Sequence, residues 1–274
     1  EAAYFHNTLE NLTEALDIFY FPSSFKNRKN YQLLNSSHVM LRTEALTKVA
    51  AGGNKKALVT YPEALFERVV LPGTLSSNII HIKSGDTLNV ELLLLKLSDY
   101  GFERTDFVYE PGQFAIRGGI LDIYSFGNEK PYRVELFGNE VDSIRIVDPE
   151  TQLSERKLLQ VSIIPNVDTQ FASEERISLL DFLPENTVVW LQDYDLCKER
   201  LTDCEEDMLA FLRLQEGLKV QGARDKVLEE QDDKLVKKNT GENDFITVKE
   251  FEEKLFQKHT VGFGHSDSFP VPFS

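Results

Sequence analysis

The sequence predicts an α/β protein that carries an α+β part built on an antiparallel sheet, and three observations support this. "KKALVTYPEALFERVVLP" and "SNIIHIKSGDTLNVELLLLKLSDYGF" each read as an apolar strand feeding a helix, the alternation of an α/β fold. From Thr105 the apolar period switches to two, as in half-buried antiparallel strands. A chain of 274 residues, 41% hydrophobic and 27% charged, can bury a sizeable core and is long enough for two domains or a split one.

Taken in order, "EAAYFHNTLENLTEALD" places Phe5, Leu9, Leu12 and Leu16 on one stripe at helical spacing, which predicts an amphipathic helix. Ser36 or Ser37 is the expected cap of a second helix that stops at Gly52-Gly53. A short strand over Ala57–Thr60 leads to a helix opening at Pro62, where a missing N–H costs nothing. A strand around Ile79–Ile82, a cap at Asp86 or Thr87, a helix, and Gly101 just past its end complete the second unit of this kind. "TDFVYEPGQFAIRGGILDIYS", "YRVELFG" and "VDSIRIVD" read as a meander joined by Pro111-Gly112, a loop from Phe126 to Pro131 and the tight Gly138-Asn139 turn. Beyond Pro165 a helix, a turn at Pro184 and the strand Thr187–Leu191 are expected, then a charged helix from about Asp195 to Gly217. Residues 221–243 are so rich in Lys, Glu and Asp that they read as a solvated loop. "DFITVKEFEEKLF" gives a short strand and a helix, and the tail "HTVGFGHSDSFPVPFS" reads as irregular.

The net charge of -15 is uneven, with 24 acidic against 13 basic groups in residues 161–274. Such a surface repels phosphates, so a protein partner is the better expectation than nucleic acid. No apolar run reaches membrane-spanning length and no signal peptide is legible, which makes the cytosol the default compartment. Cys197 and Cys204 lie on one expected helix with Cα atoms roughly 10 Å apart, too far for a bridge. His6, His38, His81, His259 and His265 are scattered, and no zinc site is read.

Catalytic motifs are wanting. "AGGNKKALV" lacks the spacing of a phosphate loop and lies between a helix and a strand, so it reads as a helix stop. "VVWLQDYD" ends in Asp193 and Asp195, which would hold a metal only opposite a phosphate loop; otherwise the acid caps the next helix. No cofactor is expected. On "YRVELFG", by contrast, Tyr132, Val134 and Leu136 share one face while Arg133, Glu135 and Phe137 share the other. A large aromatic between charges on an outward face is the material of an interface hot spot. Arg117 joins it from the neighbouring strand, because Gly118-Gly119 suggests a bulge or close backbone approach. The plainer alternative is that Arg133 and Glu135 form cross-strand ion pairs and Phe137 packs under a loop.

"FAIRGGILDIYSFGNEKPYRVELFGNEVDSIRIVDPETQ" resembles the second domain of UvrB, which recurs near the N-terminus of the transcription-repair coupling factors, through R-G-x-x-x-D-[IL], R-[VL]-[ED]-x-F and a V-D-P turn. "ALVTYPEALFERVVLP" and "LLDFLPENTVVWLQDYDLCKERL" resemble its flanks, and the likeness covers most of residues 1–200 and weakly "FITVKEFEEKLF". The missing Walker A loop and DNA-inserting hairpin favour the coupling factors over UvrB itself. The resemblance implies a degenerate RecA/helicase-like nucleotide-hydrolase core over residues 1–78 and 166–274, with an inserted α+β UvrA-binding domain over 79–165. It implies a noncatalytic adaptor within a longer ATP-dependent translocase, whose other regions meet RNA polymerase and DNA; the alternative is a fragment of a UvrB-type excinuclease helicase. The family's contact positions fall on Arg117, Arg133, Glu135 and Phe137, whereas Ala115 replaces a second arginine. The expectation is that both arginines offer forks to partner carboxylates, so that Arg133→Ala or Phe137→Ala weakens UvrA binding with Tm nearly unchanged.

Overall fold

The computed structural model describes residues 1–13, 15–27, 29–53, 55–166, 175–220 and 240–263. The expected acidic loop at 221–243 lies mostly outside the described residues, as does the tail from 264. The fold is mixed α/β and divides into two compact units, one of residues 1–38, 53–71 and 173–274 and one of residues 39–52 and 72–172.

The second unit is built on a six-stranded sheet. Its order is Ser154–Leu158, Glu140–Val147, Tyr132–Phe137, Ile120–Ile123, Gln113–Arg117 and Glu103–Arg104. All neighbours are antiparallel except the last pair, where Glu103 faces Gln113 in parallel. The expected meander therefore starts later than the sequence suggests. Residues 105–110 form no strand; the Thr105 N–H makes the last bond of the parallel pair, to the Phe114 carbonyl at 2.9 Å. One face of the sheet is apolar: Phe114, Leu121, Ile123, Val134 and Ile144 are all buried. Period-two alternation alone produces this layer.

Two caps differ from expectation. The helix Val90–Asp99 is capped by Asn89, whose side-chain oxygen accepts the Leu92 N–H at 3.0 Å; Asp86 instead accepts the Lys83 N–H at 2.8 Å and closes the preceding turn. For the helix Ser36–Ala50, the Asn35 side chain accepts the His38 N–H at 3.2 Å, one residue before the predicted serine. In both cases an Asn just outside the periodic stretch outcompetes a hydroxyl or carboxylate nearby. The helix stops as expected, with Gly52 at φ 65° and Gly53 at φ 94°.

In the first unit, two short parallel pairs recur: Asp17–Tyr20 with Lys56–Val59, and Val188–Gln192 with His259–Phe263. The second pair corrects the reading of the tail as irregular. Five residues with a glycine in fourth place carry too little alternation to announce a strand, and their partner lies far away in sequence. Phe25, Tyr31, Phe66 and Phe245 form an aromatic core, with the Phe66 and Phe245 rings stacked at 4.7 Å. Beside it the buried Glu67 carboxylate accepts the backbone N–H and the hydroxyl of Ser24 at 2.9 and 2.5 Å. The helix Ala2–Leu12 forms, but its stripe does not bury: Phe5 is 51% and Leu12 73% exposed. No helix among the described residues is long and apolar enough to cross a membrane.

The charged helix runs from Tyr194 to Val220 and opens on Asp193, a non-glycine residue at φ 54° whose carboxylate accepts the Leu196 N–H at 3.0 Å. Asp193 is thus a helix cap, and no group of three or more possible metal ligands occurs among the described residues. Cys197 and Cys204, both buried and neither in a disulfide, lie on this helix. Burial, with the nearby Glu63 and Asp193 charges, pushes the Cys197 thiol up to about 12. Native protein at pH 8 should therefore leave Cys197 unalkylated by iodoacetamide, with full reaction only in denaturant; mass spectrometry of the alkylated peptide is the readout.

Candidate protein-docking face

The polar face of the six-stranded sheet holds the residues singled out by sequence, and the cross-strand register fixes their neighbours. Ala115, Asp122, Arg133 and Arg145 make one row across four strands; Arg117, Ile120, Glu135 and Ser143 make the next. Phe137 lies two residues beyond Glu135 on the same face. Asp122 and its neighbour Ala115 are covered, Ala115 in a small buried cluster with Val108 and Tyr124. Gln152 donates to the Val108 carbonyl at 3.1 Å, which ties residues 148–153 over the same end of the sheet. In the next row Arg117, Ile120 and Glu135 remain half-exposed while Ser143 is buried, and Phe137 is 85% exposed.

Asp122 organises this face. Its carboxylate is fully buried in the middle of an otherwise apolar strand. Arg133 reaches it with Nε to Oδ1 at 2.7 Å and Nη2 to Oδ2 at 2.9 Å, a two-pronged pair across the strand junction. Arg117 reaches the same carboxylate with Nη2 to Oδ2 at 2.5 Å. The Asp122 carboxylate raises the Arg133 pKa further above its ordinary value, chiefly through these hydrogen bonds. Arg133 also donates Nη1 to the Gln152 carbonyl at 3.3 Å, and Arg117 donates Nη1 to the Asp106 carbonyl. The Arg117 guanidinium stands 4.5 Å from the centre of the Phe107 ring.

These contacts correct the expectation that both arginine forks wait for partner carboxylates. A buried carboxylate must be paired, and the two nearest cations supply the pairing. Glu135 is likewise engaged: it accepts the Ser143 hydroxyl and lies 3.7 Å from Arg145. For these three residues the plainer alternative, internal pairing, describes the geometry. Phe137 does not pack under a loop.

Two backbone devices keep the Phe137 end of the face open. Gly118-Gly119 makes a tight hairpin turn, with Arg117 paired to Ile120 and Gly118 at φ 59°. Gly119 meets the next strand so closely that a Cβ there would lie 2.7 Å from the Leu136 carbonyl oxygen, which realises the expected close approach. The bulge sits elsewhere: Glu135 pairs with Ser143 but Leu136 with Val141, which leaves Asp142 as the extra residue. The sequence signal for Asp122 was its isolation, a lone acid between Leu121 and Ile123. Phe107 and Ile120 carried no signal, since neither belongs to a periodic polar-face pattern.

The sheet thus has one apolar face and one ordered, partly open polar face. Residues 80–168 match the family model described as the UvrB interaction domain. Curated relatives of the chain include transcription-repair-coupling factors. The chain is 32% identical to the factor of Bacillus subtilis over 162 residues, 58% of this chain and 14% of the relative. It is 33% identical to that of Haemophilus influenzae over 112 residues, 40% of this chain and 10% of the relative. It is 39% identical to that of Staphylococcus haemolyticus over 118 residues, 43% and 10%. The chain thus resembles transcription-repair-coupling factors over about half its length and spans only 10–14% of those relatives.

Removing the shared carboxylate strands two arginines in a covered site, so Asp122→Ala should cost about 3 kcal/mol, seen as a Tm loss of roughly 6–12 °C. Arg133→Ala should also lower Tm, contrary to the expectation from sequence, whereas Phe137→Ala should leave it within about 1 °C. Calorimetric melting of the three variants is the check.

Proposed function

We propose that this chain is an adaptor module of a transcription-repair coupling factor, in which residues 79–165 dock UvrA and so bring nucleotide excision repair to a stalled RNA polymerase. The observation that carries the reading is the exposed Phe137 ring on a face ordered by Asp122, within the stretch that matches the UvrB interaction domain. Arg117, Arg133, Glu135 and Phe137 remain its proposed contact residues, with the arginines presenting their outer edges rather than free forks. Contacts to RNA polymerase and DNA belong to other regions of the longer protein. The remaining residues, read as a degenerate RecA/helicase-like core, serve as scaffold and carry no chemistry. Their short parallel strand pairs are compatible with that descent. Asp193 acts as a helix cap, so the metal-binding role required by an active UvrB-type helicase gains no support.

The test is calorimetric titration of UvrA with this chain and with Phe137→Ala. Loss of one such anchor should weaken binding about thirtyfold at unchanged Tm. Equal affinity of the two chains would overturn Phe137 as the anchor. Titration with a fluorescent ATP analogue should give no binding in the micromolar range.

A further inference from the structure

The parallel pair Val188–Gln192 and His259–Phe263 belongs to the first unit and takes no part in the six-stranded sheet. Residues in parallel register point the same way, so Val188, Trp190 and Gln192 share a face with His259, Val261 and Phe263. The opposite face is covered at Leu191. This one is open: Val188 is 48%, Trp190 70% and Phe263 41% exposed, and the Trp190 and Phe263 rings stand 6.4 Å apart. Parallel strands are normally covered by helices on both faces. None of the ten residues is an acid, a lysine or an arginine. By contrast, the outer strand Ser154–Leu158 of the six-stranded sheet carries Glu155, Arg156 and Lys157 and a register shift, the devices that keep an open strand from recruiting another chain. The Trp190 pair has no such guard.

We propose that a partner protein lays an amphipathic helix on this face, its apolar stripe over Val188, Trp190 and Phe263 and lysine or arginine along the edges of the stripe. Charge selects this occupant. Exposed acids flank the strand, Glu185 before it and Asp195 and Glu199 after it, whereas Lys198 and Lys254 are engaged by Glu252 and Asp181, and Lys258 by the Leu183 and Pro184 carbonyls. A cation beside the apolar stripe therefore meets carboxylates at the rim of the contact. The net charge of -15 sets a second copy of this chain against itself. Trp190 and Phe263, already in ring contact, supply the anchor such a helix needs. The surface lies outside residues 79–165, so the inference does not rest on UvrA docking.

Trp190 is the only tryptophan of the chain and reports on the face directly. In the free chain acrylamide should quench its emission freely; a shielded ring would mean that the chain itself or a second copy already covers the face, and would overturn the proposal. The probe is a synthetic helix of about five turns with a leucine stripe flanked by lysines, compared with the same stripe flanked by glutamates. The lysine form should shift Trp190 emission to the blue with saturation in the micromolar range, and the glutamate form should bind at least about tenfold more weakly. Followed by anisotropy of the labelled lysine peptide, Trp190→Ser should weaken binding about tenfold at an unchanged melting curve, and Val188→Ser, which keeps the reporter, about threefold. Equal binding of the two peptides, or wild-type affinity in both variants, would reduce the contact to general attraction by an acidic surface and sink the proposal.

Discussion

A single buried carboxylate, that of Asp122, sets the terms for the rest of the polar face. Placed mid-strand between Leu121 and Ile123, it would be costly alone. Two guanidinium groups approach it from the flanking strands, and each is held at its far side by a backbone carbonyl, of Asp106 or of Gln152. The carboxylate therefore links five separate segments: its own strand, the strands of Arg117 and Arg133, and the two connections at 105–110 and 148–153. Replacing it by an apolar residue would remove the reason for both connections to lie where they do. A buried ion pair is weak evidence for stability as such. Its contribution here is to specify one arrangement of side chains over a sheet whose other face is an ordinary apolar core.

That specification has a directional consequence. Ala115 and Asp122 are buried, whereas Arg117 and Ile120 flank the hairpin turn and Phe137 lies exposed two residues beyond Glu135. Gly119 lets the Leu136 backbone approach to hydrogen-bonding distance, with the Leu136 N–H donating to the Gly119 carbonyl at 2.7 Å. The extra residue Asp142 increases local twist beyond Glu135. Between them they carry Phe137 past the covered part of the face, into solvent. A monomer gains nothing from exposing a phenyl ring to this degree, and the chain's strong negative charge gives it no general affinity for phosphates.

Much of this sheet was legible because it is written in period two. The apolar face and the outward parity of Phe137 follow from alternation, whereas Gly118-Gly119, read as a bulge or close backbone approach, is the hairpin turn between two strands. What alternation does not contain is register. Knowing that Arg133 and Phe137 share a face says nothing of which residue on the adjacent strand stands beside Arg133, and that residue is Asp122. The arginines were therefore assigned outward-reaching forks that the register turns inward. Similarly, the stripe on Ala2–Leu12 announced a helix but not whether another element covers it, and the strand His259–Phe263 depended on a partner at Val188–Gln192. Local pattern fixes the element, while long-range pairing decides its surroundings.

A face whose charges are mutually satisfied behaves differently in binding from one whose charges wait for a partner. Free arginines are long and mobile, and ordering each on contact costs rotamer entropy. Here that cost is met during folding, since Arg117 and Arg133 are held by Asp122 and by backbone carbonyls before any partner arrives. The guanidinium groups are then held rigid and partly buried beside the shared Asp122 carboxylate, with the Arg117 backbone paired to Ile120. Specificity in such a surface comes from the fit of a ring into a cleft, with the charges excluding partners that would bring a bare cation against Arg117. The internal pairing thus fixes both arginines in place before any partner arrives.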